Sequence, residues 1–204
     1  MNEDEVKELL KKTLKFNEID IKKLEIFSNS LLNFNSKYNL ISKKTEKSLW
    51  FRHILDSAQL IKYFDNNLNI NLVDFGSGAG FPGLILAIYN KNPKFHVKLY
   101  EKSPVKREFL NLIKEKLDIK MTIANEIEDD QVDADIVVAR AFKKLGKIID
   151  ISRETIKKPH KIIILKGKNA QAEINNVSLA SNYSYKMKNS ITDNDSKIIV
   201  IEVT

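Results

Sequence analysis

The run Asp74-Phe-Gly-Ser-Gly-Ala-Gly-Phe-Pro-Gly83 holds the residues of this chain best placed to do chemistry. Four of the six glycines in 204 residues (Gly76, Gly78, Gly80 and Gly83) fall within eight positions. Glycine lets backbone approach a ligand closely and take positive φ. A short apolar strand (Leu72, Val73, Phe75) leads into the run, and an apolar helical pattern, Leu84 to Ile88, follows it. Strand, glycine turn and helix together form a seat for a nucleotide-like cofactor, with backbone N–H groups exposed at the helix start. Two spacings compete. Gly78 to Gly83 fits G-x-G-x-x-G, the dinucleotide pattern, and Gly76 to Gly80 fits G-x-G-x-G. Gly76 follows the strand at once, whereas a turn starting at Gly78 leaves two extra residues after Phe75. Asp74 also puts a carboxylate where a pyrophosphate would pass, which is electrostatically unfavourable. A cofactor with a cationic amino-acid end tolerates that acid, and S-adenosylmethionine (sulfonium, ammonium, adenosine, no phosphate) is such a molecule.

Glu101 ends the next strand-like run, 25 residues beyond Gly76. An acid at the tip of the second strand of a βαβ unit can accept from both ribose hydroxyls; this suits NAD as well as S-adenosylmethionine. Arg140 follows the apolar run Ile136-Val-Val-Ala139, at the carboxyl end where open α/β sheets bind ligands. Its guanidinium could hold a cofactor carboxylate or an RNA phosphate bidentately, or pair with Asp74 or Asp135. Arg52, His53, Asp56 and Ser57 share a helix face, so that Arg52 and Asp56 can pair across one turn. Trp50 can pack between the helical start and the sheet or stack on a base. The three histidines, His53, His96 and His160, are scattered without metal-ligand spacing, so no metal is expected.

The elements that must position these residues are legible from periodicity. Apolar spacing predicts helices over 3–16, 21–34 and 48–64, with a loop at 35–44. The polar stretch Asp65 to Asn71 separates this helical extension (1–66) from the rest (67–204). Beyond it strands at 71–76, 95–101, 120–124, 134–139 and 161–166 alternate with helices at 82–90, 104–117 and 144–157. That alternation implies an α/β fold with a parallel sheet covered on both faces. The runs 181–189 and 197–203 have no helix between them and read as a terminal antiparallel hairpin.

Composition bounds the rest. There is no cysteine, which excludes disulfides and thiolate metal sites and suits a reducing cytoplasm. No apolar run approaches the roughly 18 residues of a membrane span, and the acidic start Met-Asn-Glu-Asp-Glu is unlike a signal peptide. The net charge of +7 is concentrated late: residues 142–204 carry 12 basic and 6 acidic side chains, against 12 and 10 in 1–66 and 10 and 11 in 67–141. Lys143, Lys144, Lys147 and Lys166 belong to this basic flank, which would attract phosphate backbones.

Five segments together resemble the bacterial 16S rRNA guanine-N7 methyltransferases of the small-subunit methyltransferase G (glucose-inhibited division protein B) family. They are Tyr38-Asn-Leu-Ile41, Arg52-His-Ile-Leu-Asp-Ser57, Asp74 to Gly83, Ala139-Arg-Ala-Phe142 and Leu165-Lys-Gly167. The resemblance implies a class I S-adenosylmethionine-dependent methyltransferase: a Rossmann-like, seven-stranded, mostly parallel sheet ending in an antiparallel hairpin. It implies that Asp74, Gly76, Ser77, Gly78, Gly80 and Phe81 line the cofactor, that Glu101 holds the ribose, and that Arg140 closes the site. Asn125 and Glu126 would meet the adenine, although Ala124 stands where the family usually has arginine. Arg52, His53, Asp56 and Ser57 would line the mouth, and Lys143, Lys144 and Lys166 would meet RNA. The implied partner is 16S rRNA or the 30S subunit, methylated by a monomer at guanine 527 of the 530 loop. N7 carries a free lone pair, so no catalytic base is assigned; Asp74, Asp56 and Glu126 are candidates to stabilise the charge that develops on the base. The alternatives from other classes are an NAD-binding oxidoreductase, a non-catalytic RNA-binding protein and a small-molecule methyltransferase.

Overall fold

The computed structural model describes residues 1–65, 67–127 and 131–204; the boundary expected at residue 66 lies outside them. Seven strands form one sheet: β1 Asn71–Phe75, β2 His96–Tyr100, β3 Met121–Ala124, β4 Ile136–Arg140, β5 His160–Lys166, β6 Tyr183–Asn189 and β7 Lys197–Val203. Their order is β3-β2-β1-β4-β5-β7-β6. The first five are parallel, and β7 inserts antiparallel between β5 and β6. The central strands are apolar on both faces because helices cover both: Leu72, Val73 and Phe75 in β1, and Val137, Val138 and Ala139 in β4, are buried. β1 pairs with β2 on one side and β4 on the other, so the direction of chain progression reverses between β1 and β4. Open α/β sheets bind ligands at the carboxyl ends beside such a reversal.

The covering helices start where the sequence provides caps. Helices α1 (Glu3–Leu14) and α2 (Glu18–Asn35) each open on a capping box, Asn2 with Glu5 and Asn17 with Asp20. They are followed by the short α3 (Lys43–Glu46) and α4 (Asp56–Ala58), then α5 (Gly83–Tyr89) and α6 (Pro104–Leu117). Ser103 caps α6, with Pro104 in its first turn. α7 (Leu145–Thr155) and α8 (Ala170–Asn175) complete the set. Val6, Leu10, Leu24, Phe27 and Leu31 of the first two helices share one apolar cluster with Phe81, Leu84 and Phe109. The Phe27 ring lies 5.5 Å from Phe81 and 6.1 Å from Phe109, so the N-terminal helices brace the segment that follows β1. Among the described residues no helix is long and apolar enough to cross a membrane.

The region 48–64 departs from the expected single helix. Trp50–Leu55 is a π-helical turn, which leads through α4 into a 3₁₀ turn at Gln59–Tyr63. The i→i+5 winding of a π turn changes which side chains face each other. Arg52 and Asp56 therefore do not pair: Arg52 reaches Asp193 at 3.0 Å and Asp56 reaches Arg140 at 3.4 Å. Trp50 is a packing residue, 6% exposed, with Lys7 Nζ 4.9 Å from its ring centroid. The short helices α3 and α8 lie in stretches the periodicity assigns to loop or leaves unassigned.

Candidate active site

The chain leaves β1 at Phe75 and turns back on itself through three positive-φ glycines, Gly76 (+75°), Gly78 (+59°) and Gly80 (+103°). Gly76 and Gly80 are required by close approach as well, and so is Gly83; a Cβ on Gly80 would stand 2.8 Å from Leu84 Cβ. A Cβ on Gly76 would stand 2.2 Å from the Phe142 ring, and one on Gly83 would stand 2.7 Å from Asp74 Oδ2. Beyond Arg140, Ala141 takes φ +50° and turns the chain so that Phe142 lies over the glycine loop. Nothing lies within 4 Å of where a Cβ on Gly78 would be, and a cavity of about 580 Å³ opens there. Gly76, Ser77, Gly78, Phe81, Glu101, Asn125, Glu126 and Arg140 all contribute to its lining.

The hydrogen bonding of the loop decides what can sit on it. Gly76 and Ser77 N–H both donate to Tyr100 O (3.0 and 2.9 Å), and Gly80 and Phe81 N–H donate to Ser77 O (both 2.9 Å). Gly78 N–H donates to Glu101 Oε2 and Gly83 N–H to Asp74 Oδ2, each at 2.8 Å. The expectation of exposed N–H groups at the helix start is thus corrected. The turn satisfies its own donors, and a pyrophosphate would find almost none free. A phosphate-free nucleoside asks for none.

Asp74 is fully buried beneath the loop and does not line the cavity. It ties Gly83 to β1 rather than facing a ligand, because its carboxylate meets the turn that begins α5. Burial pushes its pKa up to about 7, against the downward pull of the Gly83 N–H and Arg140. Among the described residues, its Oδ1 and the Ser77 hydroxyl, both buried, have no hydrogen-bond partner. Glu101, which lines the cavity, has both oxygens engaged, on Gly78 N–H and Ser103 N–H (each 2.8 Å), and each oxygen retains a second lone-pair site. Arg107, which sequence reasoning missed, ties this end of β2 to the end of β3: its NH1 donates to Glu101 O, Lys102 O and Asn125 Oδ1.

Arg140 stands across the cavity from Glu101's strand, with its carbon Cζ 4.8 Å from the Phe81 ring centroid. It donates to Arg52 O (3.1 Å), Asp56 Oδ2 (3.4 Å) and His53 Nδ1 (2.8 Å), three acceptors for five N–H donors. Its partners are these, and not Asp74 or Asp135; Asp135 pairs with Lys158 at 2.6 Å. A guanidinium is always a donor, so His53 Nδ1 accepts and its Nε2 carries the hydrogen toward Thr45 Oγ1 at 2.9 Å. Burial first, then Arg140 and Arg52, lowers the His53 pKa to about 3. His53 is therefore expected to stay neutral from pH 8 down to 4, read as an unshifted imidazole resonance in an NMR titration. Between its ordinary 6.5 and about 3 the unfolded chain binds a proton that the folded chain does not, so this contribution to stability falls as the pH drops. Asp74 has the opposite sign: its contribution is complete below 3.8 and is lost as the pH rises through about 7.

A model of the family described as rRNA small subunit methyltransferase G matches residues 20–199 of this chain. The chain belongs to that family. It is 36% identical over 184 residues to the ribosomal RNA small subunit methyltransferase G of Pelagibacter ubique, covering 87% of this chain and 86% of the relative. It is 39% identical to that of Orientia tsutsugamushi, covering 89% of each. Among solved structures it is similar to a putative S-adenosyl-L-methionine-dependent methyltransferase of Methanococcus maripaludis (TM-score 0.55, 14% identity, 93% of this chain and 95% of that one). It is also similar to M. jannaschii TYW2 in complex with AdoMet (TM-score 0.50, 18% identity, 72% and 74%). These likenesses establish the class I methyltransferase fold.

Ser57, expected at the mouth of this methyltransferase, and Lys166, expected to meet RNA, are engaged inside the protein. Ser57 is buried and donates to His53 O at 2.7 Å, holding the π turn. Lys166 is not free for RNA: its side chain is 10% exposed and donates to Lys143 O and Glu173 Oε2 at 2.7 and 2.8 Å. Glu173 also accepts from Leu145 N–H, so Lys166 anchors the loop between β4 and α7. Lys143 lines the cavity with its Nζ 5.2 Å from the Phe142 centroid, and Lys144 is exposed beside it. Leu40 and Ile41 also line the cavity. Their motif pointed to them, but no spacing rule assigned them a role.

Proposed function

We propose that this family member holds S-adenosylmethionine over Gly78 and that the guanine accepting the methyl group on N7 lies in 16S rRNA. The observation that carries the reading is the cavity above a glycine turn whose N–H donors are already engaged internally. A cavity of about 580 Å³ lies within the ordinary range for small-molecule sites. The residues present fit this cofactor: Glu101 offers lone pairs for ribose hydroxyls, Asn125 and Glu126 flank the same wall, and Gly78 leaves room for the nucleoside. Arg140 retains donors for a carboxylate. When bound, S-adenosylmethionine supplies an electrophilic methyl group on a sulfonium.

The chain's own groups favour alignment over proton transfer. Neither His53 nitrogen is available as a base, since one accepts from Arg140 and the other faces Thr45. N7 of guanine needs no base, which separates it from an exocyclic amine or a hydroxyl. Holding the reactants in line can contribute up to roughly 10 kcal/mol. Glu126, exposed at the cavity wall, is the acid best placed to face developing positive charge on the base. Asp74 is too deep for that role. Lys144 and Lys147, both exposed and close in sequence to Lys143 of the cavity lining, support docking of RNA phosphates.

The protein acts as a monomer in the cytoplasm in this reading. The test is mass-spectrometric mapping of modified nucleotides after incubation with S-adenosylmethionine and either naked 16S rRNA or 30S particles. A single new 7-methylguanine, on one substrate or both, is expected. Calorimetric binding of NAD but not S-adenosylmethionine would overturn the reading. Lys144→Glu with Lys147→Glu is expected to weaken rRNA binding at least tenfold, with a shallower salt dependence and unchanged cofactor affinity; equal loss of both would argue against a docking role.

A further inference from the structure

The C-terminal hairpin contributes to the site although none of its residues lines the cavity. Its tip, between β6 and β7, lies over the π turn and α4, more than 130 positions away in sequence. Asp56 Oδ1 accepts from Thr192 Oγ1 at 2.6 Å, from Ser190 Oγ at 3.2 Å and from Gln59 Nε2 at 3.0 Å. Ser190 and Thr192 are each 7% exposed, and their hydroxyls are 2.9 Å apart. Gln59 in turn accepts from Ile191 N–H at 3.0 Å. The other oxygen of Asp56, Oδ2, faces Arg140.

We infer that Thr192 and Ser190 are positioning residues for cofactor binding: by saturating Asp56 Oδ1 they fix the carboxylate plane so that Oδ2 holds the Arg140 guanidinium toward the cavity. This rests on the reading of Arg140 as a cofactor-site residue. A carboxylate has about four lone-pair sites, and three donors on one oxygen remove its freedom to rotate. A hydroxyl donating to an ionised group makes one of the stronger hydrogen bonds available. Removing it takes away the shortest of the three donors and leaves Oδ1 on the 3.0 and 3.2 Å contacts alone, a weaker hold on the carboxylate plane that faces Arg140. Arg140 then keeps His53 Nδ1 and Arg52 O but loses the one charged partner that sets its tilt.

Isothermal calorimetry with S-adenosylmethionine on the full chain tests this, with melting temperature read in parallel. Thr192→Val keeps the shape and removes the donor; it is expected to weaken binding about tenfold, the scale of one lost hydrogen bond to a charged group. Thr192→Ser restores the hydroxyl and is expected to bind within about twofold of wild type. Asp193→Asn breaks the exposed ion pair between the same tip and Arg52 without touching Asp56, and is expected to leave affinity unchanged. If Thr192→Val does not fold, Ser190→Ala carries the same comparison through the 3.2 Å donor. Wild-type affinity in the folded donor-deletion variant, or equal loss in Thr192→Val, Thr192→Ser and Asp193→Asn, overturns the inference. Failure of the wild-type chain to bind S-adenosylmethionine would instead defeat the parent reading.

Discussion

Gly76→Ala is expected to lower the unfolding free energy by about 2–5 kcal/mol and to remove measurable S-adenosylmethionine binding. Two costs combine. A non-glycine residue at φ +75° carries left-handed strain of about 1–2 kcal/mol. The new Cβ would also stand 2.2 Å from Phe142 Cδ2, and overpacking of that kind costs about 1–3 kcal/mol more. Phe142 cannot yield freely, because Ala141 at φ +50° and the Lys166–Glu173 anchor fix the loop that carries it. Urea denaturation should show a lower midpoint at an unchanged m-value. Gly78→Ala is the control for stability: it has the same sign of φ (+59°) but open space around its Cβ, so only the strain applies. If the two variants are equally stable, the packing of Phe142 on the loop is not what holds the turn.

Arg140→Ala is expected to lower methyl transfer at least a hundredfold. Two further consequences distinguish this from unfolding. Asp56 and His53 lose their shared donor, costing about 1–3 kcal/mol of stability, which leaves a folded chain. The pKa of His53 rises, since Arg140 is the second cause of its depression, yet burial keeps it below the ordinary 6.5. Arg140→Lys retains the charge but cannot serve three acceptors in a fork, so most of the loss persists. Wild-type turnover in Arg140→Ala would remove this residue from the site. A His53 resonance that did not move would remove their 2.8 Å contact from the account.

The legible parts of this protein are those in which neighbours in sequence remain neighbours in space. The G-x-G-x-G turn, the strands of unbroken apolar residues and α6 with its Ser103-Pro104 start follow local rules, and the structure has them. The terminal hairpin was readable for the same reason: two strand-like runs with no helix between them. The π turn at Trp50–Leu55 was not readable, because helical periodicity does not distinguish i→i+4 from i→i+5 winding in six residues. That one ambiguity redirected Arg52 to Asp193 and Asp56 to Arg140.

Residue type and spacing by themselves placed a glycine turn at the end of β1, an acid just past β2 and an arginine at the end of β4. Tertiary structure alone decided that Asp74 lies under the turn, that Lys166 anchors a loop, and that Ser190 and Thr192 reach Asp56 across the chain. The reason is physical. A short polar side chain reveals its acceptor only once the backbone has brought distant segments within about 3 Å, the span of a hydrogen bond.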